Sequence, residues 1–123
     1  MQKLFSLKDY FEYLFDTSPV MMHLISGGRF VAINRAWLQT LGYERKDVLG
    51  KKSIDFLSEE SRLRAIKDTL PLFWRVGSAR SIGLEFLRKD GLKVDVLLGA
   101  DLVSNSYGSR FTLAALRDTK DES

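Results

Sequence analysis

The tightest constraint on this chain lies in its second half. Residues 81–88, 93–103 and 110–117 read as three strands in immediate succession. Lys89-Asp90-Gly91 between the first two is a tight-hairpin signal, because glycine accepts the positive φ that such turns need. Ser104-Asn105-Ser106-Tyr107-Gly108 is a second polar turn. Strands laid side by side in this way form a sheet that must be covered by other elements.

The first half supplies them. Leu4, Leu7, Phe11 and Leu14 recur at helical spacing, with Phe5, Tyr10 and Phe15 widening the stripe. Ser6 and Asp9 suit a cap that starts the regular helix at Leu7, and Ser18-Pro19 ends it. Residues 20–25 and 30–33 read as strands around the turn Ser26-Gly27-Gly28-Arg29. Asn34 caps a short helix over 35–41, with Gly42 as its left-handed stop. Residues 47–50 form one more helical turn. Ser58 caps a longer helix whose expected apolar face is Leu63, Ile66, Leu70 and Phe73 or Trp74, with Pro71 interrupting it near Asp68.

Composition removes several classes of function. The chain is 45% hydrophobic and 28% charged over 123 residues, which suits one folded domain. It has no cysteine, so thiol catalysis, a disulfide framework and cysteine-ligated metals are excluded. It has one histidine, His23, so sites built on several imidazoles are excluded too. A net charge of +3, spread along the chain, does not make a nucleic-acid patch. No apolar run approaches the roughly 20 residues of a membrane span, and Asp9 and Glu12 argue against a signal peptide, so a cytoplasmic chain, or the cytosolic part of something larger, is expected. Glu85, Asp90, Asp95 and Asp101 form no evident acid–base pair, and no G-x-S-x-G or S-x-x-K motif occurs, so catalysis is not expected.

The motifs, taken in order, resemble those of the PAS domain family over residues 16–119. They are FDTSPVMMHLI, GGRFVAINRAWLQTLGYERKDVLGK with Asn34, Ala36, Gly42 and Tyr43, the hairpin LEFLRKDGLKVDV, and LAALRDT. The last departs from the family's terminal D-I-T signature, with Thr119 and Lys120 at its final two places. The resemblance implies an α+β fold: a five-stranded antiparallel sheet in 2-1-5-4-3 order with helices enclosing a pocket on one face. It implies a sensory module rather than an enzyme. The expected organisation is a flanking helix over 1–17, the domain over 18–119 and an exit linker over 120–123.

Strand alternation then assigns the pocket. Met22 and Leu24, Ile82, Leu84 and Phe86, Val94, Val96, Leu98 and Ala100, and Thr112, Ala114 and Leu116 should point inward. Trp37, Leu41, Phe56, Ile66 and Leu70 should face them from the helices. His23 should point outward as a partly covered surface imidazole. The light-oxygen-voltage (LOV) flavin subfamily carries Asn, Asn and Gln at the positions of Phe86, Val96 and Leu116, and its photoactive Cys at Ser53, so flavin is disfavoured. Haem is disfavoured because residues 58–76 hold no histidine. Two readings stay open: a pocket filled by Phe86, Trp37 and Phe56, or one holding a small apolar ligand against Thr112.

The outward set, Met21, Ile25, Leu97, Val103, Phe111, Leu113 and Ala115, is also apolar, so something should cover it. The flanking helix, through Leu4, Leu7, Phe11, Leu14 and Phe15, is the expected cover, and with Met21, Phe111 and Leu113 it should join two copies as a homodimer. Arg117, Asp118 and Thr119 would carry the signal out to an output domain of the same polypeptide or to a partner protein.

Overall fold

The computed structural model describes residues 6–121. Helix α1 (Leu7–Thr17) starts at a capping box: Ser6 Oγ accepts from the Asp9 amide and Asp9 accepts from the Ser6 amide. Strands β1 (Met21–Ser26) and β2 (Arg29–Ile33) form a hairpin. Asn34 caps α2 (Arg35–Leu41), which stops at Gly42 with φ of 80°. Helix α3 (Arg45–Val48) and a 3-10 turn (Ser53–Phe56) come next. Ser58 caps α4 (Glu59–Arg64), which runs through a π turn (Ala65–Thr69) into α5 (Leu70–Val76). Strands β3 (Ser78–Leu87), β4 (Lys93–Ser104) and β5 (Arg110–Asp118) close the chain, with Thr119–Asp121 as a final turn.

All strand pairs are antiparallel, and the sheet order is β2-β1-β5-β4-β3. Directly paired residues share a face, so the register reads out the inner surface in rows. Met21, Leu116, Leu98 and Ile82 make one row, and His23, Ala114, Ala100 and Ala79 make the next. Ile25, Thr112 and Leu102 make a third. Part of each sheet edge is covered, which leaves less of it open to unwanted strand addition. Residues 50–53 hydrogen-bond along β2 through the Phe30 amide to Lys51 and the Gly50 amide to Phe30. At the β3 edge, Ser58 donates its amide to the Glu85 carbonyl and its hydroxyl to Glu85 Oε1, and Ser61 Oγ accepts from the Glu85 amide at 2.9 Å.

Those serine contacts decide which side of α4 faces inward. Ser61 is 2% exposed, and Ala65 and Phe73 continue the buried side. The expected stripe of Leu63 and Ile66 is therefore corrected: both are exposed. The π turn adds to the shift, because its wider ladder rotates the next helical turns relative to a continuous α-helix. It sits just ahead of Pro71, which has no N–H for the ladder, so the interruption takes the form of a widened turn rather than a break.

The phase of β1 is also corrected. Met21 and His23 are buried at 5% and 3% exposure, and Ile25 packs against the core, while Met22 and Leu24 lie on the outer face. The strand Met-Met-His-Leu-Ile is apolar in both phases, so alternation alone carries no direction there. Nor is α1 laid over the sheet. It packs against α2, none of its residues is buried, and Leu7, Phe11 and Leu14 are exposed. At the outward Gly83 nothing lies within 4 Å of where a Cβ would stand. Phe15 is half-buried, and Leu4 falls outside the described residues.

Asn34 joins these parts. Its Oδ1 accepts from the Met22 and Trp37 amides at 3.0 and 3.2 Å, and its Nδ2 donates to the Phe15 and Val20 carbonyls at 3.0 and 2.7 Å. The side chain is fully buried and its hydrogen-bonding capacity is used in full. Asn34→Ala is expected to destabilise the domain by about 3–5 kcal/mol, since buried partners lose their bonds and a helix loses its cap. Asn34→Asp keeps both acceptances but sets a carboxylate against two carbonyls, and should be no better tolerated. Urea unfolding of the two variants beside the parent checks both.

Candidate functional site

Between the sheet and the helices an aromatic cluster fills one side of the core. Phe30 meets Trp37 and Phe56 edge-on, with centroids 5.3 and 5.5 Å apart. Phe86 lies against Trp37, and Tyr43 packs on Phe56 while donating its hydroxyl to the Leu87 carbonyl at 2.7 Å. Edge-to-face rings of this kind add stability beyond their buried area and hold one arrangement. Burial raises the Tyr43 phenol above its ordinary pKa.

Beside the cluster the core is not full. A cavity of about 90 Å³ remains over the row of three alanines, Ala114, Ala100 and Ala79, which ends at His23. Its roof comes from Ala65, Thr69, Leu70 and Phe73, and its near side from Ser53, Ile54 and Leu57. The cause is plain in the register: three methyl side chains stand abreast where Leu116, Leu98 and Ile82 fill the adjoining row. Among the described residues no Asp, Glu, Lys or Arg lines the space.

The sequence-assigned pocket residues divide. Leu70, Leu84, Phe86, Leu98 and Thr112 line the cavity. Trp37, Leu41, Phe56, Val96 and Leu116 are buried in the surrounding core and do not line it. Met22, Leu24 and Ile66 do not face it at all, for the reasons of phase given above. His23, Ile25, Phe30, Phe73 and Ala79 line it and lie outside the sequence assignment. The alanines carry a usable signal, since register places them side by side once the strand order is known.

His23 is the main correction. Its expected outward imidazole is buried, and Nδ1 accepts a hydrogen bond from Trp37 Nε1 at 3.2 Å. Its ring also lies edge-on to Phe30 at 5.1 Å. Burial pushes its pKa from the ordinary 6.5 down to about 3, so the ring is neutral at physiological pH. Outside the core, Asp47 accepts from the Glu44 amide and pairs with Lys89 at 3.0 Å, tying α3 to the β3–β4 hairpin. The backbone bond to Glu44, then Lys89, holds the Asp47 carboxyl below its ordinary range.

Of the outer-face set, Leu97, Val103, Phe111 and Leu113 are half-buried, and Met21 belongs to the inner face instead. At the exit, Arg117 is exposed, the Asp118 carboxylate accepts from the Lys120 amide, and Thr119 Oγ1 donates to the Asp95 carbonyl at 3.3 Å.

The chain belongs to the PAS domain family, whose model matches residues 18–121. It is similar to the PAS domain of an HTR-like protein from Haloarcula marismortui, at 23% identity over 90% of each chain with a TM-score of 0.76. It is also similar to a domain of the sensory box sensor histidine kinase/response regulator from Geobacter sulfurreducens, at 20% identity over 90% of this chain and 93% of that one, TM-score 0.73. The LOV protein of Rhodobacter sphaeroides is 19% identical over 95% of this chain and 70% of that one, TM-score 0.76. At these identities the common property is the fold. No curated protein matches the sequence.

Cofactor fit is decided by the side chains. Phe86, Val96 and Leu116, the residues on which the resemblance set flavin aside, are all buried and apolar. They do not fit an isoalloxazine edge, which would lose about 1–3 kcal/mol for each unmet polar group. Among the described residues no group of His, Asp or Glu could hold a metal ion, and no helix is long and apolar enough to cross a membrane.

The His23 shift sets an acid dependence. Above pH 6.5 the imidazole is neutral in the folded and unfolded chain alike, and His23 adds no slope. Below it the unfolded chain takes up a proton that the folded one refuses until about pH 3. Stability is therefore lost as pH falls through that window, by about 1.4 kcal/mol per pH unit from this group. His23→Gln should remove that increment of slope, read by comparing urea midpoints of the two proteins between pH 7 and pH 5.

Proposed function

We propose that this chain is a cytoplasmic sensory module, in which occupancy of the cavity biases a flanking helix and an exit strand that an output domain reads. The observation that carries the reading is the cavity itself. Protein interiors pack closely, yet here three alanines stand side by side in one register row and leave the space beside them open.

A hydrogen-bonded route supports the link to α1. His23 on the cavity wall is held by Trp37 Nε1, the Trp37 amide is held by Asn34, and Asn34 holds the Phe15 carbonyl at the end of α1. Asp16 adds ion pairs to Arg35 at 2.7 Å and Arg45 at 3.0 Å. A ligand that moved His23 would bear on the seat of α1.

In this reading α1 joins two copies of the chain. Its exposed stripe of Leu7, Phe11 and Leu14, together with half-buried Phe15, Phe111 and Leu113, supplies the apolar surface for a homodimer. Arg117, Asp118 and Thr119 form the exit. The output is a histidine kinase, a cyclic-di-nucleotide enzyme or a transcription regulator, attached or acting as a partner, and the module itself is not a catalyst.

Native mass spectrometry beside the denatured sample tests the sensor. A small mass per subunit that disappears on denaturation is expected. A bare chain that also fails to take up any small organic probe would return the protein to the alternative of an interaction module with a closed core. The dimer is tested separately by sedimentation: Leu7→Glu with Phe11→Glu should convert dimer to monomer without loss of the folded spectrum, and a parent that stays monomeric at high concentration overturns that part.

A further inference from the structure

The cavity wall is carbon almost throughout, and its polar exceptions differ in kind. Ser53, Thr69 and Thr112 present hydroxyls, which rotate and serve as donor or acceptor. His23 has no such freedom. The Trp37 indole nitrogen can only donate, so Nδ1, which receives it, carries a lone pair and no proton. An imidazolium would place an N–H against an N–H and is excluded by the same contact. The proton of the neutral ring therefore stands on Nε2.

That Nε2–H has no acceptor among the described residues, although the residue is 3% exposed. Among those residues no sealed side-chain nitrogen or oxygen lacks a partner, so Nε2 borders open space. One edge of the ring is fixed to Trp37, the ring meets Phe30, and the residue lines the cavity. The donor left over belongs to the cavity. That donor faces a space lined almost wholly by carbon, so it is the polar group that a bound molecule carrying an acceptor would meet there. Among the described residues no cation lines the space, so an anion would sit unpaired there.

We propose that the cavity takes a neutral, mainly apolar small molecule with a hydrogen-bond acceptor such as a carbonyl or ether oxygen, and that His23 Nε2–H is the donor that receives it. Trp37 is the positioning residue that fixes the tautomer. This rests on reading the cavity as a ligand site. Engineered cavities of about 150 Å³ hold a benzene ring, so a cavity of about 90 Å³ suits a ligand of five- or six-membered ring size at most, with slight relaxation.

The protein contains one histidine, so its imidazole nitrogens can be read without assignment. In ¹⁵N-histidine-labelled full chain at pH 7, two-bond proton–nitrogen spectra should show Nε2 protonated and Nδ1 bare. Titration with cyclopentanone should shift the Nε2 signal, with binding about tenfold tighter than methylcyclopentane, and cyclopentanecarboxylate should not bind. Trp37→Phe should release a mixture of tautomers. His23→Phe, checked for its folded spectrum, should bind ketone and hydrocarbon alike.

A proton on Nδ1 in the free protein overturns the proposal whatever binds. Equal binding of ketone and hydrocarbon with an unmoved Nε2 signal, or a preference for the carboxylate, overturns it while leaving the cavity as a ligand site. Failure of all three probes to bind overturns the ligand-site reading, and this proposal with it.

Discussion

The structure hangs on one buried amide. Asn34 stands between the β1–β2 hairpin and α2, and its four side-chain hydrogen bonds reach α1, the start of β1 and the first turn of α2. A shorter polar residue could cap the helix but could not also reach the Phe15 and Val20 carbonyls. A charged one could not be left in a site with no exposure. The amide alone offers two donors and two acceptors in one plane, which is what three converging chain segments require. Once it is fixed, the first turn of α2 is fixed, and Trp37 has one place to put its indole. That indole sets the His23 ring. The polarity of the cavity wall is thus decided two steps away, by a residue that does not touch the cavity.

The space itself has a different origin. Sheet register brings Ala114, Ala100 and Ala79 abreast, and no neighbouring side chain collapses onto them. Two features hold the roof off the floor. The serines of α4 and its cap anchor it to the β3 edge by hydrogen bonds, which fix distance better than apolar contact does. The aromatic cluster on the other side forms a rigid wall of edge-on rings. Between an anchored edge and a stiff wall, a row of methyl groups leaves a gap.

How far the sequence discloses this depends on how each residue signals. Asn34 with Gly42, Ser58, the Ser6–Asp9 pair and the β3–β4 hairpin are local devices, and each stands in the structure at the position expected of it. The inner faces of β3, β4 and β5 are legible from alternation, because their outward residues include Glu85, Asp95 and Arg117. β1 lacks such a marker. Between Met21 and Ile25 the one polar side chain is His23, and its polarity points the wrong way, because a neutral imidazole facing an indole N–H is at home in a core. On α4 the error has the opposite sign: Ser61 looks like a surface residue and Leu63 like a core one. The buried hydroxyl is worth more there because it meets the edge amide of Glu85, a partner from a strand 24 residues away. Both failures come from hydrogen bonds between distant segments, which hydrophobic patterning does not register. The seat of α1 belongs to the same class, since a stripe of apolar residues says that a surface is needed but not which one.

Energetics bound what such a device can transmit. A ligand shifts an equilibrium only by the difference in its affinity for the two arrangements. The contact it would press on is small: one imidazole, one indole and one amide side chain in line. The element at the far end is lightly held. No residue of α1 is buried, and its anchorage is the Phe15 carbonyl bond, the Asp16 ion pairs and partial burial of Phe15. Exposed ion pairs contribute about 0–1 kcal/mol each. In the proposed sensor a helix seated so weakly would need only a small differential affinity to shift, whereas a helix buried in the core would need far more. On the proposed reading the exposure of α1 and the modest size of the cavity would be matched: a weak input would meet an element that needs only a weak push, through the buried Asn34 amide.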